Sequence, residues 1–172
     1  RKLRKITAWG DPPKGLYVWG SVGTGKSFLM DNFFNCLPFT DKLRMHFHNF
    51  MECVHFELKE YQGAADPLTQ VARDFAKRAR VLCLDELMVN DIADAMILAE
   101  LFKKLLAHEV CLIFTSNIEP SRLYEKGLQR QRFLPAIALI EAHTHVIKLE
   151  SGFDYRERNR GHAQNYLCPL NE

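Results

Sequence analysis

The chain alternates short, wholly apolar runs with longer stretches whose apolar residues return every three or four positions. The short runs predict strands over Leu16–Trp19, Leu43–His48, Val81–Leu84, Val110–Thr115 and His145–Leu149. The longer stretches predict helices over Lys26–Asn35, Phe50–Tyr61, Leu68–Arg78, Ile92–His108 and Gln129–Ala142. In the fourth of these helices Ile92, Ala95, Met96, Ala99, Phe102, Leu105 and Leu106 fall on one stripe. Asp91 stands where an N-cap belongs, and Lys103, Lys104 and His108 suit the negative end of the helix dipole. Val81–Leu84 and Val110–Phe114 contain no charged side chain, as befits parallel strands covered on both faces. Strands alternating with helices at these lengths imply an α/β fold, a parallel sheet sandwiched by helices. With no repeat, low-complexity tract or linker, the expectation is one domain over residues 1–172.

The first predicted strand runs into Gly20-Ser21-Val22-Gly23-Thr24-Gly25-Lys26-Ser27, a complete Walker A loop, and the first helix follows it. Strand, glycine-rich loop and helix in that order give the motif its physical meaning. Consecutive backbone N–H groups form an anion nest capped by the positive end of the helix dipole. Lys26 is expected to reach the β- and γ-phosphates of ATP, and the Ser27 hydroxyl to hold Mg²⁺. The candidate nucleotide-binding residues are Gly20, Ser21, Val22, Gly23, Thr24, Gly25, Lys26, Ser27 and Phe28.

Val81-Leu82-Cys83-Leu84-Asp85-Glu86 reads as a Walker B motif, a buried strand ending in two acids. In an open parallel sheet the carboxyl ends of the strands face the ligand crevice. Asp85 is therefore expected to hold Mg²⁺, and Glu86 to orient and deprotonate the attacking water. The acid pair favours water as the acceptor over a second substrate, which argues against a small-molecule kinase. The next strand ends in Thr115-Ser116-Asn117, and the Asn117 amide suits a hydrogen bond to the γ-phosphate and the water. Arg130 and Arg132 lie too far along the chain to serve their own nucleotide easily. Either one, with Arg132 preferred, is a candidate finger for a neighbouring subunit, which requires a head-to-tail homo-oligomer.

Composition changes this picture little. The chain has 172 residues, 47% hydrophobic and 26% charged, with a net charge of +2, so it is not a general polyanion binder. Its positive charge gathers at Arg1-Lys2-Leu3-Arg4-Lys5 and at Arg156, Arg158 and Arg160; solvated termini are the expectation, with weak support for a nucleic-acid or membrane contact as the alternative. The five cysteines show no close pairing, which points to a reducing compartment. No apolar run approaches bilayer-spanning length, and no signal peptide opens the chain. His46 with His48, and His143 with His145, would share a strand face if extended, but neither pair has obvious further ligands for zinc.

Beyond the Walker motifs, the chain resembles the AFG-like AAA+ ATPase family. The resemblance rests on Lys14-Gly15-Leu16-Tyr17-Val18-Trp19-Gly20, Met30-Asp31-Asn32-Phe33, His46-Phe47-His48-Asn49-Phe50-Met51 and Asp66-Pro67-Leu68. It continues through Leu82–Val89, Asp91–Met96, Thr115-Ser116-Asn117, Leu123-Tyr124, Gly127-Leu128-Gln129-Arg130, Arg132–Pro135 and Asp154-Tyr155-Arg156. It implies a five-stranded parallel sheet of the AAA+ P-loop NTPase type and ATP hydrolysis, with Asn117 at the position called sensor 1. Bacterial members act on the division protein FtsZ and lower the stability of its polymers; mitochondrial members serve respiratory-chain turnover. The expected location is therefore the cytoplasm, with the mitochondrion as the alternative. Leu87 departs from the aromatic residue often found there. The family's C-terminal helical lid would lie past Pro169-Leu170, so the expectation for this chain is a phosphate cradle that hydrolyses ATP poorly.

Overall fold

The computed structural model describes residues 13–150; the basic clusters near both ends, Cys168 and Asp154-Tyr155-Arg156 lie outside them. Five parallel strands are β1 (Gly15–Trp19), β2 (Lys42–His46), β3 (Val81–Asp85), β4 (Cys111–Ser116) and β5 (Thr144–Lys148). They form one sheet in the order β2-β3-β4-β1-β5. Five helices connect them: α1 (Lys26–Cys36), α2 (Phe47–Glu60), α3 (Pro67–Arg78), α4 (Ile92–Ala107) and α5 (Leu134–His143). The predicted parallel α/β sheet is thus the observed one.

Strand alternation sorts the core into two unequal halves. Tyr17, Leu82, Leu84, Leu112 and Phe114 point toward α2–α5 and join a large cluster with Phe50, Val54, Phe75, Leu98, Phe102 and Ile140. Val81, Cys83 and Ile113 point the other way, onto Met30 of α1. The larger half is tied by aromatic pairs, Phe50 with Phe75 at 5.1 Å and Phe102 with Phe114 at 5.5 Å between centroids. Such pairs add about 0.5–1.5 kcal/mol each beyond simple burial.

Helix starts follow the cap chemistry. Asp66 accepts from the Thr69 N–H and precedes Pro67 at the first position of α3. Asp91 accepts from the Ala93 N–H at the head of α4, as its sequence position implied.

The structure corrects the sequence expectations at the end of β2, at the two histidine pairs and at the start of α5. The strand expected over Leu43–His48 ends at His46, opposite Asp85, where its partner strand also ends, and α2 begins at once with Phe47. Phe47, Phe50, Met51 and Val54 are all buried, a helical spacing that the alternation of His46 and His48 masks. His46 and His48 therefore do not share a strand face, and neither do His143, the last residue of α5, and His145 of β5. The helix expected from Gln129 begins at Leu134 instead. Gln129 has φ 54°, Arg130–Arg132 make a 3₁₀ turn, and Pro135 fits the first turn of α5, where its missing N–H costs nothing.

Candidate functional site

All five strands run the same way, so the segments leaving β1, β2, β3 and β4 emerge along one edge of the sheet. The Walker A loop, His46, Asp85-Glu86 and Ser116-Asn117 meet there.

The loop folds over its own lysine. Lys26 Nζ donates to the carbonyls of Gly20 at 2.8 Å and Ser21 at 2.7 Å, and Thr24 Oγ1 also donates to the Ser21 carbonyl. Burial pulls the Lys26 pKa down, against the opposing charge of Glu86. Gly23 and Gly25 have φ near 87° and 86°, a left-handed conformation that a side chain would resist. Gly25 caps α1 with no side-chain acceptor, so the first N–H groups of the helix remain available to an anion. Ser27 is exposed in that first turn, and Val22 and Phe28 flank the loop at 75% and 74% exposure.

Asp85 is buried, with a donor on each oxygen: Arg44 Nε at 2.6 Å on Oδ2 and Thr115 Oγ1 at 3.1 Å on Oδ1. Arg44 also contacts Asp31 of α1 through Nη1. Burial works against the Arg44 charge, but the hydrogen bonds to Asp31 and Asp85 outweigh it and raise its pKa. Thr115 Oγ1 accepts from the Glu86 N–H at 3.1 Å, holding the two acids at the tip of β3 against the tip of β4. Ser116 Oγ donates to the Leu87 carbonyl at 2.7 Å and accepts from the Ile118 N–H at 3.1 Å.

Glu86 leaves the strand at φ 58°, a backbone region that disfavours any residue with a Cβ, and its carboxylate reaches solvent. Its Oε2 lies 3.8 Å from His46 Nδ1. Glu86 and Asn117 line one open groove of about 950 Å³ with His46, His48, His55 and Asp94. Across that groove His55 Nε2 meets Asp94 Oδ1 at 2.7 Å, joining α2 to α4.

Magnesium prefers hard oxygen donors, and this donor set suits it: the Ser27 hydroxyl and a buried carboxylate with lone pairs to spare beyond Arg44 and Thr115. The loop's glycines and the open N–H groups of α1 likewise suit a polyphosphate.

The two arginines separate. Arg130 donates from Nη2 to the Ser121 carbonyl at 2.7 Å, and its Nε is buried without a partner among the described residues. Arg132 is exposed. Neither lines the groove that holds Glu86 and Asn117. Sequence reasoning missed Arg44, Asp31 and Thr115 as members of the site. The available signal was a cation at alternate positions of β2, Lys42 and Arg44, on either side of the apolar Leu43.

The family model described as AFG1-like ATPase matches residues 1–172. The chain belongs to the AFG1-like ATPase family. Within the family it is similar to the cell division protein ZapE of Escherichia coli K12, 50% identical over 161 residues, which is 94% of this chain and 43% of that protein. It is 39% identical over 158 residues to lactation elevated protein 1 homolog B of Danio rerio, covering 86% of this chain and 31% of that one. The chain thus spans less than half the length of these curated relatives. The fold of this AFG1-like chain is also that of AMPPCP-bound DnaA from Aquifex aeolicus, with a TM-score of 0.61 at 18% identity over 89% of this chain and 47% of that one. Among the described residues no helix is long and apolar enough to cross a membrane.

Proposed function

We propose that this chain is the nucleotide-hydrolysing α/β domain of an AFG1-like ATPase that binds ATP with Mg²⁺ and passes the energy of hydrolysis to a protein partner. The observation that carries this reading is the meeting, at one sheet edge, of a lysine-bearing phosphate loop, a buried Asp85, a solvent-facing Glu86 and Asn117. Lys26 leaves its loop carbonyls for the β- and γ-phosphates, to which the exposed α1 N–H groups also donate. Magnesium, when bound, neutralises phosphate charge; Ser27 and Asp85 are the residues that would hold it. Glu86 takes a proton from the attacking water while Asn117 orients that water, and both reach the same groove. Arg132, exposed and free of the Arg130 anchor, serves the nucleotide of a neighbouring copy in a homo-oligomer.

Similarity to ZapE makes the division protein FtsZ the first partner to test, and the cytoplasm the location in a bacterium. The decisive measurement is ATP turnover by the full-length protein and its Glu86→Gln variant, with and without FtsZ polymers. Glu86→Gln is expected to retain bound ATP while turnover falls about 100-fold or more. Turnover unchanged by Glu86→Gln would remove the water-activation role. Polymers that neither respond to ATP-loaded protein nor alter its turnover would remove FtsZ as the partner.

A further inference from the structure

A guanidinium in the middle of a β-strand needs a reason, and Arg44 has two carboxylates for one. It sits on edge strand β2 opposite Cys83, with its side chain on the α1 side of the sheet. From there two different nitrogens reach two different elements: Nε to Asp85 Oδ2 at the end of β3, and Nη1 to Asp31 Oδ1 on α1. Asp31 lies four residues after Ser27, one helical turn along the same face. Both anchors of Arg44 therefore belong to elements that carry the phosphate site. Asp85 is 4% exposed, and its other donor, the Thr115 hydroxyl, is neutral. Arg44 is the charged partner of this carboxylate, and its Nε at 2.6 Å from Oδ2 holds the group turned one way. A planar fork fixes the angle between its two partners, which a lysine ammonium on a flexible stem does not.

We propose that Arg44 is a positioning residue of the phosphate site, bridging Asp31 and Asp85 so that the magnesium-facing carboxylate is locked to the helix that follows the phosphate loop. The proposal rests on the nucleotide-binding reading above and adds to it a residue outside both Walker motifs. Outer partners of metal-holding carboxylates change metal affinity about 10–100-fold when removed. Arg44 acts on the metal-dependent part of nucleotide binding and leaves the metal-free part alone, because its contacts go to carboxylates and none to the loop.

The test uses full-length protein and a fluorescent, non-hydrolysable ATP analogue, titrated once in EDTA and once in magnesium, for wild type, Arg44→Gln, Arg44→Lys, Asp31→Asn and Lys26→Ala. Thermal melts verify that each variant folds. Arg44→Gln and Arg44→Lys are expected to keep the EDTA affinity within about twofold, while the factor by which magnesium tightens binding falls about 10-fold. Asp31→Asn moves it in the same direction and carries the test alone if both Arg44 variants fail to fold. A tightening factor within twofold of wild type in a folded Arg44 variant overturns the proposal. So does a rise in that factor, which would make Arg44 a charge that merely repels the ion. Lys26→Ala keeps the two readings apart: if it leaves the analogue's affinity unaltered, the phosphate-site reading itself fails, whatever the Arg44 variants do.

Discussion

The hydroxyl of Thr115 does two jobs at once. It donates to Asp85 and accepts from the Glu86 N–H, so both acids depend on one oxygen atom. A valine there has the same shape and neither bond. Thr115→Val is expected to lower stability by about 1–3 kcal/mol, since it leaves a polar group unsatisfied beside a buried carboxylate. Chemical denaturation reads this as a lower midpoint with an unchanged slope, and Thr115→Ser is expected to stay close to wild type. The Walker residues were legible in the sequence because their types and spacing are dictated by phosphate geometry. Thr115 and Arg44 were not, because their roles come from pairing between strands distant in the chain. The letters favoured Arg132 without excluding Arg130; the bond from Arg130 to the Ser121 carbonyl, reached across a turn, adds a structural difference between them.

Among elements, the buried strands β3 and β4 were the easiest to read, being apolar on both faces. The start of α2 was the hardest, because β2 passes into it without a connecting loop. Helices α3 and α4 are joined at the surface by Lys104 Nζ, which donates to Asp66 Oδ2 at 2.7 Å and to Thr69 Oγ1 at 2.8 Å. The Lys104 ammonium, then the Thr69 donors, hold the Asp66 carboxyl down at about 2, against an ordinary 3.8. A lowered folded pKa stabilises the folded state above the ordinary value and ceases to do so as the acid is protonated. The stabilising effect is thus full above about pH 4 and fades toward pH 2. Thermal melts of Lys104→Met and wild type are expected to differ at pH 6 and to converge across that interval. A gap that stays constant down to pH 2 would assign the difference to lost packing of the lysine stem.

At the scale of the whole molecule, the placement of Arg132 away from the Glu86 groove carries a prediction about assembly. Arg132→Ala is expected to abolish turnover, and mixing it with Lys26→Ala subunits to restore part of it, because each supplies what the other lacks. Arg130→Ala is expected to cost stability instead. A fully active monomer, verified by light scattering during turnover, would refute the trans role. The left-handed backbone at Glu86 has a consequence for the molecule's lifetime. Residues with a Cβ pay about 1–2 kcal/mol in that conformation, and glycine does not. Glu86→Gly is therefore expected to melt at a higher temperature than Glu86→Gln, with turnover lowered about 100-fold or more in both. The site holds the carboxylate proposed to activate water where durability would place a glycine, so a more heat-resistant version of this domain and a working one call for different residues at the same position.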